Sequence, residues 1–169
     1  MIELEKTYLA KFLPDLKKCK SKEIIDIYLP KSAKHPVLRI RKNGDKFEMT
    51  KKQPIGEDKT IQEEQTIILS EQEFQELSSL EGKRVHKIRF YFSYNRRTAE
   101  IDVFQGALKG LVLVDFEFKS VQEKERFEKP DFCLVEVTQE EFIAGGMLCG
   151  KFYKDIEKDL QKFGYKTLF

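Results

Sequence analysis

The run Ala99-Glu100-Ile101-Asp102-Val103-Phe104 is answered a few residues later by Val114-Asp115-Phe116-Glu117-Phe118. In both, carboxylates alternate with apolar side chains at period two, the spacing at which a β-strand sends successive residues to opposite faces. Each strand therefore has one apolar face and one face bearing two like charges. The same pattern recurs outward in both directions. Glu3 and Glu5 share a face opposite Ile2, Leu4 and Tyr8, and Arg39 and Arg41 oppose Leu38 and Ile40. Thr50 and Lys52 alternate with Phe47 and Met49, Lys87 and Arg89 with Ile88 and Phe90, and Glu64 lies on another such strand. Alternation predicts strands near 2–9, 24–29, 37–42, 46–52, 61–69, 84–94, 98–104, 111–118 and 131–137, an antiparallel sheet protein. Asn43-Gly44-Asp45 supplies a hairpin turn between two of them.

One strand with a charged face is an ordinary half-buried strand. Six or seven with charged faces, five of them bearing like-signed pairs, are not, because like charges this close repel unless something opposite lies between them. Closed into a barrel with these faces inward, the sheet would enclose an acidic set, Glu3, Glu5, Glu64, Glu100, Asp102, Asp115 and Glu117. A basic set, Arg39, Arg41, Lys52, Lys87 and Arg89, would face it. Burying so many ions is costly unless they are paired or bound to ligands. A polyanion together with a divalent cation satisfies both sets: arginine forks and lysine point charges match phosphate oxygens, and Mg²⁺ bridges carboxylates to a phosphate chain.

Composition narrows the alternatives. The 169 residues hold 31 Lys plus Arg against 29 Asp plus Glu, a net charge of +2, with 40% hydrophobic and 36% charged residues. That is the length of one domain, 1–169, with charge well above the average of about 25%. Near-balance lacks the bulk positive field of a non-specific nucleic-acid binder. The apolar runs, such as Gly110-Leu111-Val112-Leu113-Val114, are far short of a membrane span. Met1-Ile2-Glu3-Leu4-Glu5 has no signal-peptide character, so the expected compartment is the cytoplasm. Cys19, Cys133 and Cys149 form no Cys-x-x-Cys pair, and His35 and His86 have no ligand spacing. Any metal would be held by carboxylates, which points to Mg²⁺, Mn²⁺ or Ca²⁺.

Ser70 with Glu73, Ser120 with Glu123 and Thr138 with Glu141 have capping-box spacing, predicting helices near 71–80, 121–129 and 139–144. Phe152, Ile156, Leu160 and Phe163 predict another over 152–163, and the polar stretch 53–60 reads as a mobile loop. Gly145-Gly146-Met147-Leu148-Cys149-Gly150-Lys151 matches a phosphate-loop spacing, but Phe152 replaces the hydroxyl residue that would ligate Mg²⁺, and the preceding residues read as helix rather than strand.

The ordered series also resembles a known family, the CYTH domain or triphosphate tunnel metalloenzymes. Glu3-Leu4-Glu5-Lys6-Thr7 is similar to its opening Glu-x-Glu-x-Lys motif, with Thr7 where the motif has lysine. Val37-Leu38-Arg39-Ile40-Arg41, the hairpin leading to Lys52, and His86-Lys87-Ile88-Arg89-Phe90 resemble its basic strands. Residues 99–106 resemble its Glu-x-Asp-x-Phe-x-Gly segment, Val114-Asp115-Phe116-Glu117-Phe118 the Glu-x-Glu strand that follows, and Glu136-Val137-Thr138 its late Glu-Val-Thr.

The resemblance implies an α+β, mostly antiparallel fold: an eight-stranded closed barrel, the triphosphate tunnel, with several helices packed outside. It implies hydrolysis of inorganic triphosphate or a small organic triphosphate with Mg²⁺ or Mn²⁺. Glu3, Glu5, Asp102, Asp115 and Glu117 would hold metal, and Arg39, Arg41, Lys52, Lys87, Arg89 and, more remotely, Lys151 would bind phosphate. Glu5, Glu64 and Lys87 would act in catalysis. The partner is then a triphosphate-containing small molecule, with neither nucleic acid nor membrane, and with room for a homodimer. Two other readings stand beside this one: a class IV adenylyl cyclase, which shares the tunnel, and a polyphosphate- or nucleotide-binding module that turns over little because Thr7 replaces the lysine. Lys6 cannot take that role, since one step along a strand reverses the side chain.

Overall fold

A computed structural model describes residues 2–169. Their nine strands are β1 (Ile2–Ala10), β2 (Lys20–Leu29), β3 (Leu38–Asn43), β4 (Lys46–Ile55), β5 (Asp58–Leu69), β6 (Lys83–Tyr94), β7 (Arg97–Phe104), β8 (Val112–Phe118) and β9 (Cys133–Glu136). Every pairing is antiparallel, in the order β5-β4-β3-β2-β6-β7-β8-β1, and β5 pairs back onto β1. This closes an eight-stranded barrel. β9 lies outside the closure, on β1. One edge of β1 belongs to β8, while its other edge is shared: β5 takes Ile2 to Leu4 and β9 takes Tyr8 to Ala10.

Four helices accompany the barrel: α1 (Glu71–Ser78), α2 (Val121–Arg126), α3 (Gly145–Leu148) and α4 (Tyr153–Gln161). The capping box at Ser70 and Glu73 forms as the spacing demands. Ser120 Oγ likewise accepts from the Glu123 backbone N–H. The predicted helix over 139–144 does not form. A 3₁₀ turn (Glu141–Ile143) precedes the single turn of α3, because the Thr138 hydroxyl donates to Glu136 Oε1 and accepts from the Thr7 N–H. Its capping capacity is spent on β1 and β9. The expected loop at 53–60 is also corrected. β4 runs on through Pro54, opposite Gln62 with a register irregularity beside it, and Gly56, at positive φ, and Glu57 form the turn to β5.

The buried apolar residues form two clusters, one on the outward faces of the strands and one partly on the inward face, where Tyr28, Phe104 and Leu113 line the cavity. One, around Tyr8, Ile101, Val114 and Phe116, is joined by Phe90, Phe92, Phe127 and Phe132. The other places Leu9, Leu111 and Leu113 with Ile156 and Leu160 of α4. Tyr165 ties the C-terminal segment to the barrel by donating to the Gly110 carbonyl at 2.7 Å and accepting from the Val112 N–H at 2.9 Å. Cys133 and Cys149 are buried thiols, pushed up to about 12 and about 11 by burial. Among the described residues no helix is long and apolar enough to cross a membrane.

Candidate active site

Because the outer faces are apolar, the inner faces are the charged ones. They line a single cavity of about 590 Å³. Its wall includes all seven acidic residues of the alternating strands, Glu3, Glu5, Glu64, Glu100, Asp102, Asp115 and Glu117, and all five basic ones, Arg39, Arg41, Lys52, Lys87 and Arg89. Thr7 also faces inward, whereas Lys6 points out to pair with Glu136 at 3.4 Å. Lys151 is not part of the lining, which corrects its expected place. It follows α3, and the residues of that segment that reach the cavity are Ile143, Ala144, Gly145, Gly146 and Leu148. The glycine pair permits their approach: a Cβ on Gly145 would collide with the Tyr28 hydroxyl, and one on Gly146 with the Pro36 carbonyl oxygen.

The cations are held by carboxylates beneath them. Arg41 is gripped by Asp26 through two bonds, Nε to Oδ1 at 2.6 Å and Nη2 to Oδ2 at 2.8 Å. Burial alone would raise the Asp26 carboxyl, but the Arg41 guanidinium prevails and keeps it below its ordinary range. Asp102, 1% exposed, accepts from Lys87 at 2.5 Å and from Arg89 Nε and Nη2 at 2.7 Å each. Those three bonds outweigh its burial and hold it ionised, well below the usual range. Asp102 is therefore the anchor of the basic cluster. Arg89 also bonds Glu100 and lies 3.6 Å from Asp115. Burial pulls the Lys87 ammonium below its ordinary range despite Asp102. The Nε of Arg39 is buried without a hydrogen-bond partner. An unmet donor of that kind, beside four other cations, is an anion site by chemistry.

The carboxylates at the opposite wall are less well compensated. Burial raises Glu117, and Glu100, Glu3 and Glu5 raise it further against the opposing effect of Lys52. Asp115 is pushed up to about 7 by burial, then by Asp102 and Glu5. It accepts from the Thr7 hydroxyl at 2.7 Å. Glu5 accepts from Gln62 at 2.5 Å and from Lys52 at 3.1 Å, and Lys52 also reaches Glu3 at 2.8 Å. Mutual repulsion among oxygen ligands suits a hard divalent cation. Among the described residues no three acidic, imidazole or thiol groups are already arranged as a cage. Mg²⁺ does not require one, since it takes one or two carboxylates and completes its shell with water and phosphate. The donor set, Glu3, Glu5, Glu100 and Glu117, thus fits such an ion.

Sequence reasoning missed Asp26, Gln62 and Tyr28. Asp26 is the lone charge in Ile24-Ile25-Asp26-Ile27-Tyr28-Leu29, and an isolated carboxylate in an apolar strand is the signal of a buried pair. Register then names its partner, since Asp26 lies directly opposite Arg41.

The chain is 30% identical over 142 residues to the inorganic triphosphatase of Nitrosomonas europaea, covering 83% of this chain and 91% of that relative. Among solved structures, one described as the inorganic triphosphatase NE1496 matches with a TM-score of 0.65 and 26% identity, covering 89% of this chain and 95% of that one. A putative adenylyl cyclase of Hippeastrum, HpAC1, described as having a dominant triphosphatase activity, shares the fold at a TM-score of 0.53 and 13% identity, over 98% of this chain and 90% of that one. No protein-family model matches. With a relative of this identity along nearly its whole length, and a closed barrel lined by the charged strands, the chain belongs to the CYTH, or triphosphate tunnel, family.

Proposed function

We propose that the protein hydrolyses inorganic triphosphate, or a small organic triphosphate, inside this tunnel with the help of Mg²⁺ or Mn²⁺. The observation that carries the reading is the facing of two sets on one cavity: Arg39, with its unmet Nε, among Arg41, Lys87 and Arg89, against the self-repelling Glu3, Glu5, Glu100 and Glu117. The relative named an inorganic triphosphatase supports the same substrate class.

Glu3, Glu5 and Glu117, with Glu100 and Asp115 beside them, would hold the cation, which when bound neutralises charge on the phosphate chain. Arg39 and Arg41 grip non-bridging phosphate oxygens, and the Asp26 brace fixes the Arg41 fork in advance. Glu64, which accepts from Thr66 at 2.9 Å, orients a water in line with the terminal phosphorus. As the new P–O bond forms and the anhydride bond breaks, negative charge collects on the leaving diphosphate oxygen. Arg89 stabilises it, and Lys87, whose buried ammonium is a stronger acid than an exposed one, donates to it.

Thr7 favours a second reading. In place of the family lysine it offers only a hydroxyl, already given to Asp115, so the tunnel would bind triphosphate and turn it over slowly. Incubation with inorganic triphosphate, ATP and thiamine triphosphate in parallel, each with Mg²⁺, with Mn²⁺ and with EDTA, separates the two. Metal-dependent phosphate release from one substrate, lost in Glu5→Gln, is the expected result. Silence with all three, alongside calorimetric binding, overturns the hydrolase reading in favour of the binding module.

A further inference from the structure

The ion pairs of Lys52 are with Glu3 and Glu5, two members of the candidate donor set; Arg89 also pairs with members of that set, Glu100 and Asp115, but Asp102 holds it besides. Arg41 is braced by Asp26, and Lys87 and Arg89 by Asp102, carboxylates that serve as anchors and stay with their partners. The ion pairs of Lys52 include no such anchor. It stands on β4, reaches past β5 to β1, and places its ammonium 2.8 Å from Glu3 and 3.1 Å from Glu5. Both belong to the donor set that suits a divalent cation. Held in both places at once, the cation and the ammonium would compete for the same oxygens. Lysine suits a contact that must be made and broken, being a point charge on a flexible four-carbon stem rather than a fixed fork. Lys52 lines the same cavity as Arg39, so on release its reach remains within the phosphate-binding wall.

We propose that Lys52 is the tunnel's resident counter-ion: it neutralises Glu3 and Glu5 until a divalent cation displaces it, and the freed ammonium then joins the phosphate ligands. Metal loading and completion of the phosphate site become one event. The charge of the acidic wall is never left bare, and the phosphate site is incomplete until the cation has arrived. This deepens the triphosphatase reading and rests on it for the identity of the anion.

The test is calorimetric titration of Mn²⁺ alone, without triphosphate, into the wild-type protein and into Lys52→Met, Lys52→Gln, Lys52→Arg and Arg39→Gln, each first checked for a wild-type-like thermal transition. Removing the competing ammonium tightens Mn²⁺ binding by about tenfold in Lys52→Met, or in Lys52→Gln should the methionine variant not fold, a coupling within the usual range between linked sites. Lys52→Arg restores the wild-type value, and Arg39→Gln, which lacks contact with Glu3 and Glu5, leaves it within about twofold. The neutral variants Lys52→Met and Lys52→Gln also lose affinity for inorganic triphosphate. Unchanged or weaker Mn²⁺ binding in both neutral variants overturns the counter-ion role while leaving the triphosphatase reading intact. Equal tightening in Arg39→Gln also overturns it, by tracing the effect to the general field of the tunnel. No Mn²⁺ binding in any variant overturns both this role and the metal reading beneath it.

Discussion

Substituting Asp26 by asparagine tests whether the basic wall depends on carboxylates that substrate never touches. The change keeps the shape and one acceptor but removes the charge that holds Arg41. Asp26 is 1% exposed and Arg41 7%, so water cannot take over. Breaking a buried pair by removing one partner costs about 3–5 kcal/mol, because the remaining ion is left uncompensated. A surviving neutral hydrogen bond returns about 1 kcal/mol, leaving a loss of roughly 2–4 kcal/mol. At about 2–4 °C per kcal/mol for a domain of this size, Tm falls by roughly 5–15 °C. The assay is thermal denaturation at neutral pH, with and without inorganic triphosphate. A guanidinium deprived of its carboxylate gains more from a bound polyanion, so triphosphate raises Tm further in Asp26→Asn than in the wild type. The gap between the two proteins also depends on pH. Arg41 holds the Asp26 carboxyl below its ordinary 3.8 despite burial, so its stabilising effect is fully present above that value and fades as pH falls through the lower folded one. The two Tm curves therefore converge in acid. A Tm within about 2 °C of wild type at neutral pH, with equal gains from triphosphate, refutes the reasoning.

Three further outcomes follow from the site. Arg39→Ala lowers kcat/KM for triphosphate about a hundredfold, the loss of roughly 3 kcal/mol of transition-state stabilisation, and an unchanged steady-state value removes Arg39 from the machinery. Thr7→Lys restores the motif lysine beside Asp115 and raises kcat for phosphate release; equal turnover in the two proteins means that the threonine is not what limits the reaction. Burial, then Asp102 and Glu5, raise Asp115 from 3.8 to about 7, so the folded protein retains a proton that the unfolded chain has lost. Stability from this group is complete below 3.8 and declines as pH rises through about 7, a decline that Asp115→Asn lacks; parallel Tm–pH curves contradict it.

The barrel was legible because its signal is redundant. Each charged pair at period two assigns a face, and the apolar partners Ile101, Val103, Val114 and Phe116 do take the buried positions outside. What the alternation cannot carry is which cation meets which anion, since that depends on register. Asp102 reads from sequence like Asp115 or Glu117, yet pairing sets it beside Lys87 and Arg89 as their anchor. The stretch 53–60 reads as a loop for a local reason: its polar residues and Pro54 discourage strand in isolation, and the pairing of β4 with β5 overrides them on either side of the turn at Gly56. Thr138 misled because its hydroxyl had a stronger use, across the sheet, than the cap its spacing suggested. Lys151 lay beyond the alternating strands, where nothing periodic says which way a side chain points.

The shared edge of β1 bears on how the protein is made. β1 leaves the ribosome before the other strands, yet its partners lie at residues 61–63, 113–118 and 133–136. Contacts so distant in sequence close slowly, because the chain between them must be ordered first. Glu3 and Glu5 therefore wait, solvated and unopposed, while the basic strands β3 and β6 are synthesised and hydrogen-bonded to β2 between them. A nascent chain that stops short of β8 has half a wall and no tunnel. The closed wall, with its acidic and basic sets facing one cavity, exists only once β8 is in place.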